Sequence, residues 1–231
     1  MTTSMPAYAK KDESEMARQM NEHFKQRGLS YLATDTGGSS HDPDITVKNA
    51  LTDEHINKFE SKRTGGSRTD FGQFRIYHDA ENGWQFHETS KSTAITEFVF
   101  SLIKTQLDAN IYGEFPCGPS LSGEQAHAFW GAYEPDRTRS VCGDVLKVPI
   151  PISTISDYYV EKGNDYIKIG KDLYSLKNKD LPTLESMTKE SYAILRIKYH
   201  SSNRYSYTIA FRMKCKSSKD TNFPDALHKI Y

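Results

Sequence analysis

Two carboxylates and a lysine are the residues of this chain whose types and spacing could carry out chemistry. Asp44 follows Pro43 just before the β-branched run at residues 45–47, and Glu60 and Lys62 lie about fifteen residues further along in a second strand-like stretch. Carboxylates are hard oxygen ligands that hold Mg²⁺ beside a phosphate. The metal lowers the pKa of a bound water, and a nearby ammonium offsets the charge that builds up at phosphorus. These residues are therefore the minimum set for a metal-dependent phosphodiesterase.

The spacing predicts that the three side chains converge. Successive side chains of a strand alternate between its two faces, so Glu60 and Lys62 should point the same way. Asp44, on a neighbouring strand, would then face them across a few ångströms. A plainer interpretation is also open, because a solvated acidic loop followed by an ordinary edge strand with alternating charges needs no function.

The pattern Pro43-Asp44 … Glu60-Ser61-Lys62 resembles the PD-(D/E)xK nuclease superfamily, which includes most restriction endonucleases. The resemblance covers about twenty residues of the 231 in the chain. It implies that Asp44, Glu60 and the backbone carbonyl of Ser61 bind Mg²⁺, while Lys62 orients or activates the attacking water. It also implies in-line hydrolysis that leaves a 5′-phosphate and a 3′-hydroxyl.

An amphipathic helix is predicted at residues 12–27, where Met16, Met20 and Phe24 recur at a spacing of four. Packing against the core fully explains this apolar stripe. In nucleases of the family that the chain resembles, an acidic residue from the first helix sometimes joins the metal site. Glu22 is the candidate for this additional acid here.

The remaining patterns predict an α/β fold, with a mixed central sheet of about five strands flanked by helices and a β-rich C-terminal part. We expect a single nuclease domain over residues 1–231, with a catalytic core at about 12–110 and a DNA-contacting part at about 144–231. The predicted elements beyond the first helix are strands at 45–47, 56–64, 145–152, 192–199 and 205–213, hairpins at 74–77 with 83–87 and 166–170 with 173–176, and helices at 93–109 and 153–162.

Two segments carry cations that could meet DNA phosphates. The glycine-rich stretch at 65–73 follows the predicted metal site, and the hairpin of strands 192–199 and 205–213 has cations at period two. The first could equally be a flexible connector, and the second a half-buried hairpin with a solvated lysine face. The candidate DNA-contacting residues are Arg63, Arg68 and Gln73 at the first segment, and Arg196, Lys198, Arg204, Arg212 and Lys214 on the hairpin.

Composition narrows the class of protein. Lysine plus arginine balance aspartate plus glutamate at 30 each, which disfavours a non-specific nucleic-acid coat protein because such proteins are strongly basic. Cys117, Cys142 and Cys215 are sparse and lack zinc-site spacing, which is typical of a reducing cytoplasm. No run of apolar residues is long enough to span a membrane, and the first twelve residues lack the apolar segment of a secretory signal.

Together these observations predict a cytoplasmic, Mg²⁺-dependent endodeoxyribonuclease similar to type II restriction enzymes. It would cleave double-stranded DNA at a specific sequence, and cleaving both strands of a palindrome favours a homodimer. Two alternatives stay open. One is another member of the same nuclease group, acting in repair, at transposon ends or on methylated DNA. The other is a non-catalytic nucleic-acid-binding module that relies on the basic hairpin.

Overall fold

The computed structural model describes residues 7–37, 42–63, 70–109, 114–126, 142–177, 180–199 and 204–231. These residues form two compact units. Unit 1 comprises the described residues within 1–69, 155–189 and 214–231, and unit 2 comprises those within 70–154 and 190–213. The units are interleaved along the chain, whereas the sequence suggested a core at about 12–110 followed by a C-terminal part at about 144–231.

Unit 1 is built on a mixed sheet of five strands, which are β1 (Tyr31–Asp35), β2 (Ile45–Asn49), β3 (His55–Lys62), β8 (Tyr166–Ile169) and β9 (Asp172–Ser175). Their order in the sheet is β1-β2-β3-β8-β9. The pair β3–β8 is parallel and the other neighbouring pairs are antiparallel. The predicted α/β class and mixed sheet are thus present, while a restriction-endonuclease-like core stays a prediction.

Helix α1 (Ala7–Gln26) supplies much of the core of unit 1, as its apolar spacing predicted. Met16, Met20 and Phe24 are buried in one cluster with side chains of the sheet, among them Phe59. Burying such a side chain contributes about 1.5–3 kcal/mol, so this stripe fixes α1 against the sheet. The other helices of the unit are α3 (Ser153–Glu161), α4 (Leu184–Met187) and the 3₁₀ turns Lys219–Thr221 and Asp225–Lys229.

The elements of unit 2 are β4 (Gln73–Asp79), β5 (Gly83–Phe86), α2 (Ala94–Asp108), β6 (Leu121–Ser122), β7 (Cys142–Pro149), β10 (Thr188–Tyr199) and β11 (Arg204–Cys215). Its strands form a second sheet in the order β5-β4-β11-β10-β7, with β6 also paired to β11. Strand β7 lies at an end of this order, as Pro149 and the nearby Pro151 predicted, since proline cannot donate a ladder hydrogen bond. Gly83, at φ +68°, forms the predicted turn between β4 and β5.

None of the helices in the described part of the chain is long and apolar enough to cross a lipid bilayer. The longest of them, α1, alternates a buried stripe with a charged face. That pattern is typical of a helix packed on one side against a protein core.

Candidate active site

Asp44 is positioned by the antiparallel pairing of β2 with β3. Ile45, the first residue of β2, pairs with Phe59, so the residue before it comes to lie beside Glu60 and Ser61. The backbone N–H of Ser61 donates a hydrogen bond of 2.7 Å to Asp44 Oδ2. This bond fixes the Asp44 carboxylate to the strand that carries the other two predicted residues.

Glu60 and Lys62 point to the same side of β3 and form an ion pair. Lys62 Nζ lies 2.5 Å from Glu60 Oε1, and the Glu60 side chain is only 3% exposed. The Lys62 side chain is 25% exposed, so the buried Glu60 carboxylate is paired with a side chain that reaches the surface of the unit. The structure therefore brings together the three residues that the sequence selected.

A second lysine, which no sequence pattern indicated, also reaches Glu60. Lys162 follows α3, and its Nζ lies 3.9 Å from Glu60 Oε2. It is separated from β3 by about a hundred residues, so only the parallel pairing of β3 with β8 brings it close. Glu60 thus has an ammonium group near each of its two oxygens.

Glu13 of α1 is buried and lies close enough to Asp44, Lys62 and Glu60 for their charges to act on it. Burial, followed by the charges of Asp44 and Asp35, raises the pKa of Glu13 to about 7. Burial and the charge of Glu60 likewise raise the pKa of Asp44 to about 6. The site therefore crowds carboxylates that resist ionising together.

The pKa of Lys62 responds in the opposite sense. Burial alone would lower the pKa of its ammonium, but the charges of Glu60 and Asp44 outweigh burial and raise it. Lys62 is consequently a cation at neutral pH, held among carboxylates that favour its charged form.

Glu22, the acid of α1 that the sequence suggested, lies elsewhere. It is exposed on the helix surface and forms an ion pair with Arg18. Glu13 precedes Met16 by three residues and Met20 by seven, which places it on the buried stripe of α1. The signal that could have distinguished the two acids is therefore helical periodicity: a carboxylate within an apolar stripe points toward the core.

The donor set suits Mg²⁺, although the protein would supply only part of the coordination shell. Glu60 Oε2 and Glu13 Oε2 are buried and accept no hydrogen bond within the described residues. A divalent cation would reduce the repulsion among these carboxylates. Within the described ranges, no group of three or more His, Cys, Asp or Glu side chains is arranged to hold a metal ion. Mg²⁺ commonly takes one or two protein carboxylates, so Asp44 and Glu60, with the Ser61 carbonyl and water, are the groups that would hold it.

The candidate DNA-contacting residues of unit 1 differ from one another in their surroundings. Arg63, directly after β3, forms an ion pair with Asp12 of α1. Lys214 is exposed near the end of β11. Arg68 lies outside the described residues. Arg63 and Lys214 are therefore the members of this group whose surroundings the structure describes.

In unit 2, the period-two arginines lie in a buried polar network. Arg196 is 3% exposed and donates to Asp70 Oδ2 at 2.6 Å, while Arg212 is 8% exposed and donates to Asp144 Oδ2 at 2.9 Å. Arg212 also contacts Asp70. These guanidinium groups pair with carboxylates inside the unit, so the structure favours the half-buried hairpin over phosphate contact at both arginines.

The other predicted contacts of unit 2 are nearer its surface. Gln73 Oε1 accepts hydrogen bonds from Lys198 Nζ at 2.9 Å and from Arg196 at 3.1 Å. Arg204 is exposed at the start of β11. Gln73 and Lys198 thus extend the buried network outward, and Arg204 is the hairpin arginine that faces solvent.

Comparisons with protein-family models, with curated proteins and with solved structures find no match to this chain. The cluster of Asp44, Glu60 and Lys62 with Glu13 and Lys162 is therefore the basis on which a function can be assigned. It combines carboxylate oxygens, the ligand type that hard cations take, with ammonium groups that attract anions.

Proposed function

We propose that unit 1 carries the active site of a Mg²⁺-dependent endodeoxyribonuclease. The observation that supports this proposal is the convergence of Asp44, Glu60 and Lys62 at the paired ends of β2 and β3. An ordinary acidic loop beside an edge strand would leave these groups solvated and apart. Instead, both carboxylates are buried, and burying charge is costly unless a partner compensates it.

Each residue has a distinct part in this proposal. Asp44 and Glu60 would hold the metal ion, and the hydrogen bond from the Ser61 backbone N–H restrains the Asp44 carboxylate. A bound Mg²⁺ would supply Lewis-acid activation of the phosphate and of a water molecule. Lys62, kept cationic by its neighbours, orients the water through its Nζ–H groups and stabilises the charge that develops on phosphate oxygens.

The finer assignment is sequence-specific cleavage of both strands of double-stranded DNA by a homodimer, leaving 5′-phosphates, as in type II restriction enzymes. Support for it comes from the resemblance of Pro43-Asp44 … Glu60-Ser61-Lys62 to the PD-(D/E)xK superfamily. A non-catalytic module that binds through the basic hairpin is less well supported, because Arg196 and Arg212 are buried and paired.

Cleavage of plasmid and phage DNA in Mg²⁺ tests the proposal. Asp44→Asn and Glu60→Gln remove the charge of a metal ligand at nearly constant shape, and each should abolish detectable cleavage. Lys62→Met should lower kcat by about 10²–10³-fold, the usual cost of removing one charge-stabilising donor. DNA binding in Ca²⁺ should persist for Lys62→Met, because the metal ligands are intact.

The matched control is Asp53→Asn, which removes an exposed carboxylate of the same unit that pairs with Lys48. It should cleave like the unmodified protein. Sequencing the cut ends then separates the finer alternatives: a fixed short motif indicates restriction, and structure-dependent nicks indicate repair. Cleavage that continues in EDTA, or that survives Glu60→Gln, contradicts the proposed role of the metal site.

A further inference from the structure

The turn that follows α3 is attached to β3 close to the proposed metal site. The backbone N–H of Lys58 donates to Asp165 Oδ2 at 3.0 Å, and the backbone N–H of Asp165 donates to the Lys58 carbonyl at 2.9 Å. Gly163, at φ +82°, reverses the chain between them and favours glycine at that position. These contacts hold Lys162 beside Glu60, two residues along β3 from Lys58.

The Lys162 side chain lies beside two tyrosine rings. Its Nζ lies 5.6 Å from the ring centroids of both Tyr158 and Tyr159, within the range of a cation–π interaction. The side chain is 18% exposed, so it is largely packed but retains contact with solvent. Lys162 is therefore restrained in position beside Glu60.

The two lysines at Glu60 differ in how they are engaged. Lys62 Nζ is at hydrogen-bond distance from Glu60 Oε1, at 2.5 Å, whereas Lys162 Nζ is 3.9 Å from Glu60 Oε2. The longer separation is an ion pair without a hydrogen bond. Lys162 can thus turn its N–H groups toward a second anion without breaking a hydrogen bond to Glu60, as a compact ammonium with rotatable donors allows.

We propose that Lys162 is a substrate-binding residue that contacts a non-bridging phosphate oxygen of DNA at this site. The inference rests on the proposed function, because it takes the anion to be a nucleic-acid phosphate held beside Asp44 and Glu60. Lys62 then acts on the attacking water, while Lys162 binds the phosphate. The site thus needs two ammonium groups from distant parts of the chain, one on β3 and one after α3.

The test compares Lys162→Met with Lys162→Arg. Methionine retains packing against Tyr158 and Tyr159 without the charge, and arginine retains the charge. DNA affinity is measured in Ca²⁺ at several salt concentrations, because each lost phosphate contact reduces the slope of log K against log salt by about 0.9. Lys162→Met should show this smaller slope and a kcat/KM in Mg²⁺ lowered by about 10–100-fold. Lys162→Arg should keep the slope of the unmodified protein.

The matched control is Lys48→Met, which removes a partly exposed lysine of the same sheet that also pairs with one carboxylate, at 3.0 Å. Its salt slope and kcat/KM should not change. If Lys162→Met matches Lys48→Met in both measurements, the inference is overturned. A lowered melting temperature of Lys162→Met with an unchanged slope also overturns it, since that result assigns Lys162 a purely structural role.

Failure of the proposed function gives a different pattern. In that case the unmodified protein neither cleaves DNA in Mg²⁺ nor binds it in Ca²⁺, and both proposals fall together. Cleavage that depends on Glu60 but is insensitive to Lys162→Met retains the nuclease and removes only the phosphate contact. A smaller slope restored by Lys162→Arg supports both.

Discussion

Replacing Glu13 with glutamine should stabilise the protein above neutral pH. Glutamine has nearly the shape of glutamate and stays uncharged, whereas Glu13 must ionise in a buried position. Burial, followed by the charges of Asp44 and Asp35, raises the pKa of Glu13 from 4.5 to about 7. Folding therefore favours the protonated form of this carboxyl group.

The sign of the pH dependence follows from that shift. A carboxyl group with a raised pKa in the folded state contributes stability that is fully present below its unfolded pKa of 4.5. This contribution is lost as pH rises through about 7, where the folded protein also loses the proton. At about 1.4 kcal/mol per pKa unit, the shift corresponds to roughly 3 kcal/mol, an upper bound because the folded structure can relax around the charge.

Urea unfolding in EDTA measures this effect. Glu13→Gln should raise the free energy of unfolding by roughly 2–3 kcal/mol at about pH 8 and change it little at about pH 4. Glu22→Gln is the matched control on the same helix, because Glu22 is exposed and paired with Arg18. It should alter stability by less than about 1 kcal/mol at either pH. Identical pH dependence of the two variants would refute the buried, acid-crowded position of Glu13.

Two further predictions concern groups away from the proposed site. Asp70→Asn should lower the free energy of unfolding by about 3 kcal/mol, because the buried Arg196 and Arg212 lose the charge of a half-buried partner; a loss below about 1 kcal/mol in urea unfolding would argue against the network. Burial, His228 and Arg27 lower the pKa of His23 below 6.5, so stability should fall as pH drops below that value. His23→Leu should weaken this acid sensitivity, and an unchanged pH profile of melting temperature would count against it.

Local patterns predicted the elements that carry the proposed site. The spacing of Met16, Met20 and Phe24 predicted α1, and alternation along β3 placed Glu60 and Lys62 on one face. Both predictions rest on the periodicity of side-chain direction, which the local backbone geometry of a helix or a strand sets. Prolines likewise predicted the edge position of β7, because a missing N–H is a local property.

The surroundings of the hairpin cations could not be predicted from local patterns, because the partners that determine them are distant in the chain. Period-two cations on β10 and β11 share a face, but alternation does not reveal whether that face is covered. In the structure, residues 193–197 are all buried, and a register irregularity falls between Leu195 and Arg196. Asp70 and Asp144 then neutralise arginines that the sequence assigned to DNA.

The sequence by itself determined the residue types of the candidate site, Asp44 with Glu60 and Lys62, and the strands that carry them. Helical periodicity could have placed Glu13 on the buried face of α1, but only the tertiary structure decided which acids it meets and that Lys162 joins them. Periodicity specifies which side chains share a face within one element. Which faces pack together depends on pairing between segments far apart in the chain. Burial where those faces pack, together with the charges brought close there, shifts the pKa values of the side chains at the site.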